Sequence, residues 1–179
     1  MQYNVAELLK GPAGATRQFE IAEEPEFALE AARMLGPLSG SVRIMRTQDG
    51  VLAEVQVSVS IEAQCSRCLR SVPTDLEVRF ADEYRPTIDI RTGFRIWPLP
   101  GEEPDEELVI GDDHVLRLDE AVRQELEAAV PVQMLCREAC AGLCPRCGQD
   151  LNEGSCQCEP EQDARWQALR DALGQAATD

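Results

Sequence analysis

Eight cysteines constrain this chain more than any other feature, because they fall into four close pairs. These are Cys65-x2-Cys68, Cys136-x3-Cys140, Cys144-x2-Cys147 and Cys156-x-Cys158, six of the eight thiols lying within the 23 residues 136–158. A tetrahedral ion with ion–sulfur bonds of about 2.3 Å holds its sulfurs about 3.8 Å apart, which a tight turn with two intervening residues meets easily. Cys144-Pro145-Arg146-Cys147-Gly148 is such a turn: Pro presets one dihedral, and Gly permits positive φ after the second thiol. Three intervening residues suit one helical turn, since i and i+4 share a face. In an extended strand Cys156 and Cys158 would sit about 7 Å apart, so the chain must bend there, and Gly154 and Ser155 allow it.

Eight thiolates divide into two all-cysteine zinc sites. The preferred grouping joins Cys144, Cys147, Cys156 and Cys158 locally, because the short loop between the pairs closes at small entropic cost. Cys65, Cys68, Cys136 and Cys140 form the other site. A crossed grouping, with 65/68 and 144/147 sharing one ion, stays open. A redox dithiol is less favoured, since thioredoxin-type chemistry wants a strand-to-helix context and strands flank Cys65 and Cys68. Ferredoxin-type spacings for iron–sulfur ligation are absent. All-thiolate sites lack the open position of catalytic zinc.

The whole chain, at 179 residues, is long enough to bury a core without such help. Val51, Ala53, Val55, Val57, Val59, Ile61 and Ala63 alternate with polar residues, the signature of a long strand with one buried face. Ser41–Arg46 and Thr74–Tyr84 read as its antiparallel neighbours, with Gln48-Asp49-Gly50 as a hairpin turn. Another strand is expected over Arg17–Ala22, with Phe19 and Ile21 inward. Asn4 to Gly11 reads as one or two helical turns, with Asn4 as N-cap, Glu7 as its capping-box partner and Gly11 as terminator. Glu26–Leu35 suggests a short helix. Asp119 opens an amphipathic helix with Leu118, Ala121, Val122, Leu126, Ala129 and Val130 on one stripe, stopped by Pro131. Residues 86–113 read as a mobile loop with seven acids and no base over 102–113. A last helix is expected from near Pro160, with Trp166, Leu169 and Leu173 on one side. No repeat is evident. The expected fold class is α+β: an antiparallel β-sheet with packed helices over 1–131, and a zinc-ribbon-like cysteine module with a C-terminal helix over 132–179.

The net charge of −16 argues against a chain that coats DNA, because generic nucleic-acid affinity comes from Lys and Arg displacing counterions. Two tetrathiolate zinc sites would carry it to −20. Arg67, Arg70, Arg137 and Arg146 lie in or beside the cysteine turns and would offset part of that charge. The sole histidine, His114, reads as ordinary surface. No secretory signal or membrane span is visible, which points to the cytoplasm, where thiols favour metal over disulfides.

The blocks Asn4-Val5-Ala6-Glu7-Leu8-Leu9, Ala63-Gln64-Cys65-Ser66-Arg67-Cys68-Leu69, Leu118-Asp119-Glu120-Ala121-Val122-Arg123 and Cys136 to Asn152 together resemble the YceD family of bacteria and plastids, the large ribosomal RNA subunit accumulation proteins. The resemblance implies a non-enzymatic role in large-subunit biogenesis that supports 23S rRNA accumulation. An acidic protein with that role would contact a basic ribosomal protein or assembly factor, or reach rRNA through a local basic face. Arg33, Arg43 and Arg46, in an acid-free stretch over 31–48, are the candidates. A competing reading is a redox- or zinc-responsive regulator. A hydrolase or nuclease finds no support in a chain with one histidine and no Ser-His-Asp constellation.

Overall fold

The long alternating strand organises everything around it. A computed structural model describes residues 1–158 and 164–167. In chain order the elements are β1 (Gln2–Asn4), α1 (Ala6–Lys10), β2 (Thr16–Glu23), β3 (Arg33–Met34), β4 (Leu38–Arg46), β5 (Val51–Gln64), β6 (Ser71–Pro86), β7 (Val109–Ile110), β8 (Val115–Arg117) and α2 (Asp119–Ala129). The main sheet runs β2-β4-β5-β6-β7, with β3 paired to the far end of β5, and β1 and β8 form a separate ribbon. All pairings are antiparallel except β6 with β7.

Strand β5 alternates buried and non-buried along its whole length, odd residues inward. Its partners continue the same layer: Val55 faces Val42 and Phe80, and Val57 faces Val78. Burial of this face, at about 25 cal/mol per Å² of apolar surface, is the main stabilising term. Val5, Leu8 and Leu9 of the α1 region, Leu116 and Leu118, and Val122 and Leu126 of α2 join the same apolar cluster. The stripe read from 118–130 therefore faces the sheet, and the helix ends before Pro131. Among the described residues no charged or polar side chain is buried.

Several local expectations change. The helix expected over Glu26–Leu35 is a bent segment ending in β3. So short a helix is marginal alone, and tertiary partners take its amides. Glu127 accepts from the N–H groups of Glu30 (2.9 Å) and Ala31 (3.0 Å), and Leu35 N–H donates to the Ser60 carbonyl. In α1 the N-cap is Val5, not Asn4; the Asn4 side chain accepts from Ala6 N–H at 3.0 Å, and Glu7 pairs with Lys10 instead of closing a box. Gly11 does end α1, but with an extended φ of −74°.

Residues 86–113 are not wholly loop: Ile88 bridges to Arg95, a 3-10 turn spans Glu106–Leu108, and β7 pairs with the end of β6, with Ile110 fully buried. His114 is half-buried, in the left-handed region (φ 53°), where its carbonyl accepts from Val5 N–H. The helix expected from Pro160 falls outside the described residues, apart from a 3-10 turn over Ala164–Trp166. Among the described residues no helix is long and apolar enough to cross a membrane.

Candidate metal centre

The hairpin of β5 and β6 carries the first cysteine pair. Its last strand pair is Gln64 with Ser71, so residues 65–70 form the turn. Cys65 N–H donates to the Arg70 carbonyl (2.8 Å), and Leu69 N–H returns to the Cys65 carbonyl (2.9 Å). The third pair sits in a second turn built the same way. A bridge between Leu143 and Asp150 encloses residues 144–149, Cys144 N–H donates to the Gln149 carbonyl (2.9 Å), and Gly148 N–H to that of Cys144 (2.9 Å). The residue after the second cysteine has positive φ in both, 59° at Leu69 and 73° at Gly148. The chain thus repeats one cysteine turn, on the shared pattern Cys-x-Arg-Cys at 65–68 and 144–147.

The structure brings the sulfurs together in two sets, Cys65 with Cys68, Cys136 and Cys140, and Cys144 with Cys147, Cys156 and Cys158. Within each set every sulfur lies within 4.8 Å of the others. The crossed grouping is not formed. In the first set Cys65 and Cys140 sulfurs are 3.8 Å apart and those of Cys68 and Cys136 3.6 Å, close to the edge of a tetrahedral thiolate site and far beyond an S–S bond. Each set can hold a metal ion. Cys136 to Cys140 approach through a turn, Cys140 N–H to the Arg137 carbonyl (3.0 Å), and not through the helical turn that their spacing suggests.

The first set is the more enclosed: Cys65, Cys68 and Cys140 are buried and only Cys136 is exposed. In the second, Cys144 is buried, Cys147 exposed, and Cys156 and Cys158 half-buried. Electrostatics prepare one thiolate in each turn. N–H groups of Cys68 and, less strongly, Arg67 point at Cys65 sulfur and lower its pKa to about 6; those of Cys147 and Arg146 do the same for Cys144, also to about 6. Burial and the neighbouring Cys140 push Cys136 up to about 12, while contact with Cys147 and burial push Cys158 to about 12. Four sulfurs so close cannot all be anions without a cation among them, and a bound ion reverses the upward shifts.

The two sets are joined by residues that their own pairing did not reveal. The Asn152 amide donates to Cys140 sulfur (3.5 Å) and to Asp150 (2.7 Å), while its oxygen accepts from Arg137 (2.7 Å) and Ala141 N–H (2.9 Å). Arg70 in the first turn pairs with Asp150 (2.7 Å) and Glu153 beyond the second. Arg67 donates to the Cys140 carbonyl (2.8 Å), and its own carbonyl accepts from Leu143 N–H (3.1 Å). At that crossing Gly142 has φ 76°, and a Cβ there would meet the Arg67 carbonyl oxygen at 3.0 Å. The sequence signal for this layer was present in Gly148-Gln149-Asp150-Leu151-Asn152, a polar tail to a cysteine turn.

The three arginines of the acid-free stretch do not form one patch. Arg33 pairs with Glu62 (2.8 Å) and Arg43 with Glu54 (3.0 Å), both on the sheet face opposite the core. Those glutamates are eight residues apart on β5, about 27 Å along a strand. Arg46 is half-buried and donates to the Thr47 and Gly50 carbonyls, each at 2.7 Å.

Comparison with known proteins places the chain beside bacterial relatives and within one family. An uncharacterized protein of Mycobacterium bovis and two from strains of Mycobacterium tuberculosis are 27% identical to the chain over 135 residues, which is 74% of this chain and 60% of theirs. The chain therefore spans about 60% of the length of these curated relatives. No solved structure matches. The family described as large ribosomal RNA subunit accumulation protein YceD matches residues 53–172, a span that contains all eight cysteines. The chain belongs to the YceD family.

Proposed function

We propose that this protein is a non-enzymatic factor in large ribosomal subunit biogenesis, supporting 23S rRNA accumulation by binding a basic ribosomal protein or assembly factor. Its scaffold is stapled by two zinc ions, one held by Cys65, Cys68, Cys136 and Cys140 and the other by Cys144, Cys147, Cys156 and Cys158. The gathering of eight thiols into two sets of four carries the scaffold half of this reading. A structural zinc supplies cross-linking between segments. The first ion would tie the sheet domain over 1–131 to the cysteine module over 132–179.

Protein is favoured over RNA as the direct partner by charge. At −16 the chain repels phosphate, and Arg33 and Arg43 are each paired with a glutamate. Cytoplasmic residence follows from that role. The test is sedimentation of cell extracts together with a deletion strain. Association with large-subunit precursors and reduced 23S rRNA in the deletion are expected; normal 23S rRNA and no association would overturn the proposal.

The exposed Cys147 favours one second reading, a zinc- or redox-responsive regulator. It requires mild peroxide to eject zinc reversibly and change partner binding. Metal-bound thiols that resist peroxide would remove it.

A further inference from the structure

A wide groove lies outside both cysteine sets, between the bent segment 24–36 and the chain leaving α2. At about 1210 Å³ it exceeds the range of about 300–1,000 Å³ that small-molecule clefts occupy. Met34 and Val130 are half-buried against the core, whereas Leu35 and Val132 stand at its edge 44% and 98% exposed. Large apolar side chains clustered this openly mark an interaction surface more often than chance exposure.

The charge around the groove names its occupant. Glu24, Glu30, Glu62 and Glu127 line it against a single cation, Arg33, which Glu62 already pairs at 2.8 Å. Glu127 is committed to the amides of Glu30 and Ala31, which fixes the outer wall. The Glu24 and Glu30 side chains belong to exposed residues and carry negative charge on that wall. Apolar side chains beside surface acids unpaired among the described residues suit a cationic peptide segment with apolar anchors, and disfavour nucleic acid.

The opposite wall depends on the first cysteine set. Met134 lines the groove and its carbonyl accepts from Ser66 N–H at 2.8 Å, one residue after Cys65 and two before Cys136. Val132 therefore hangs on a segment anchored by these four sulfurs.

We propose that the groove between residues 24–36 and 130–134 is the docking site for a Lys/Arg-rich, apolar-anchored segment of a partner protein, its inner wall held in place by the first cysteine set. The inference rests on the protein-partner reading above and gives it an address. It also gives the metal a role in binding without contact to the partner.

The test uses the full-length, metal-loaded protein and a fluorescent synthetic peptide of alternating leucine and lysine, beside its leucine–glutamate counterpart. The cationic peptide is expected to bind and to shift amide NMR signals of Leu35, Val132 and Met134. Val132→Arg and Glu24→Lys/Glu30→Lys each weaken it at least tenfold with unchanged melting temperature, since every altered residue is exposed. Removing metal abolishes binding. Equal affinity for the anionic peptide, unchanged affinity in Val132→Arg, or shifts confined to another surface would overturn the proposal. Sedimentation separates the two readings. If wild type and Val132→Arg associate equally with large-subunit precursors, the groove proposal fails and the function stands; if wild type does not associate, the function fails whatever the peptide does.

Discussion

Two residues in equivalent places show what the cysteine turn demands. Leu69 and Gly148 both follow the second cysteine of a turn with φ near 60–70°, where a Cβ crowds the backbone and costs about 1–2 kcal/mol. Gly148 avoids that cost, while Leu69 bears it with its side chain 58% exposed and little burial in return. Gly148→Ala should therefore destabilise the metal-loaded protein by about 1 kcal/mol. Leu69→Gly should leave stability unchanged or raise it by a few tenths, because glycine's unfolded-state freedom offsets most of the relief. Denaturant unfolding of the two variants checks both signs.

A second residue-scale effect concerns acid. Hydrogen bonds from Arg123 and then Gln124 hold the Glu120 carboxyl down to about 2, from an ordinary 4.5. A depressed carboxyl stabilises the fold fully above about pH 4.5 and loses that contribution as pH falls towards about 2. The group is exposed, so solvent screening keeps the effect small. Glu120→Gln should flatten the fall in stability across that window and change nothing in slope near pH 7, measured as melting temperature against pH.

At the scale of elements, the turn after Gly148 matters as much as the cysteines it follows. Asn152 belongs to the second turn's exit yet touches Cys140 of the first set, and outer partners of this kind tune affinity by about 10–100-fold. Asn152→Ala should weaken metal at the first set by about that factor while the second set, whose sulfurs it does not touch, keeps its affinity. Competition with a chromophoric chelator would resolve the two. How legible each element was depended on where its hydrogen bonds go. Strand β5 and helix α2 could be read directly, since strict period-2 burial and a six-residue apolar stripe each admit one buried face. The segment 26–35 could not, because Glu127 and Ser60, 97 and 25 residues from Glu30 and Leu35, take its amides. Local propensity loses to such partners.

For the whole molecule, the division of labour between core and metal is the point to measure. The sheet and helices share one continuous apolar cluster, whereas Cys65, Cys68 and Cys140 form a small separate one with Val72, Leu135 and Leu143. Two zinc ions per chain are expected on protein purified without chelator, by elemental analysis. Chelation should release residues 134–158 to fast amide exchange while β4 and β5 stay protected, read by hydrogen-exchange mass spectrometry. Loss of protection throughout the sheet would show that the core does not stand without metal.

Spacing alone determined that the thiols work in pairs, and periodicity that a long strand and one amphipathic helix share a core, because each is a property of a few neighbouring residues. Net charge alone weighed against generic binding of nucleic acid, by the counterion argument. Only the tertiary structure decided which pairs meet, that Asn152 and Arg70 link the two sets, that the arginines of 31–48 are scattered, Arg33 and Arg43 paired with glutamates and Arg46 with backbone carbonyls, and that a groove opens beside the first set. Those outcomes depend on contacts between residues tens of positions apart, whose meeting is set by strand register and turn geometry, and no local pattern carries that information.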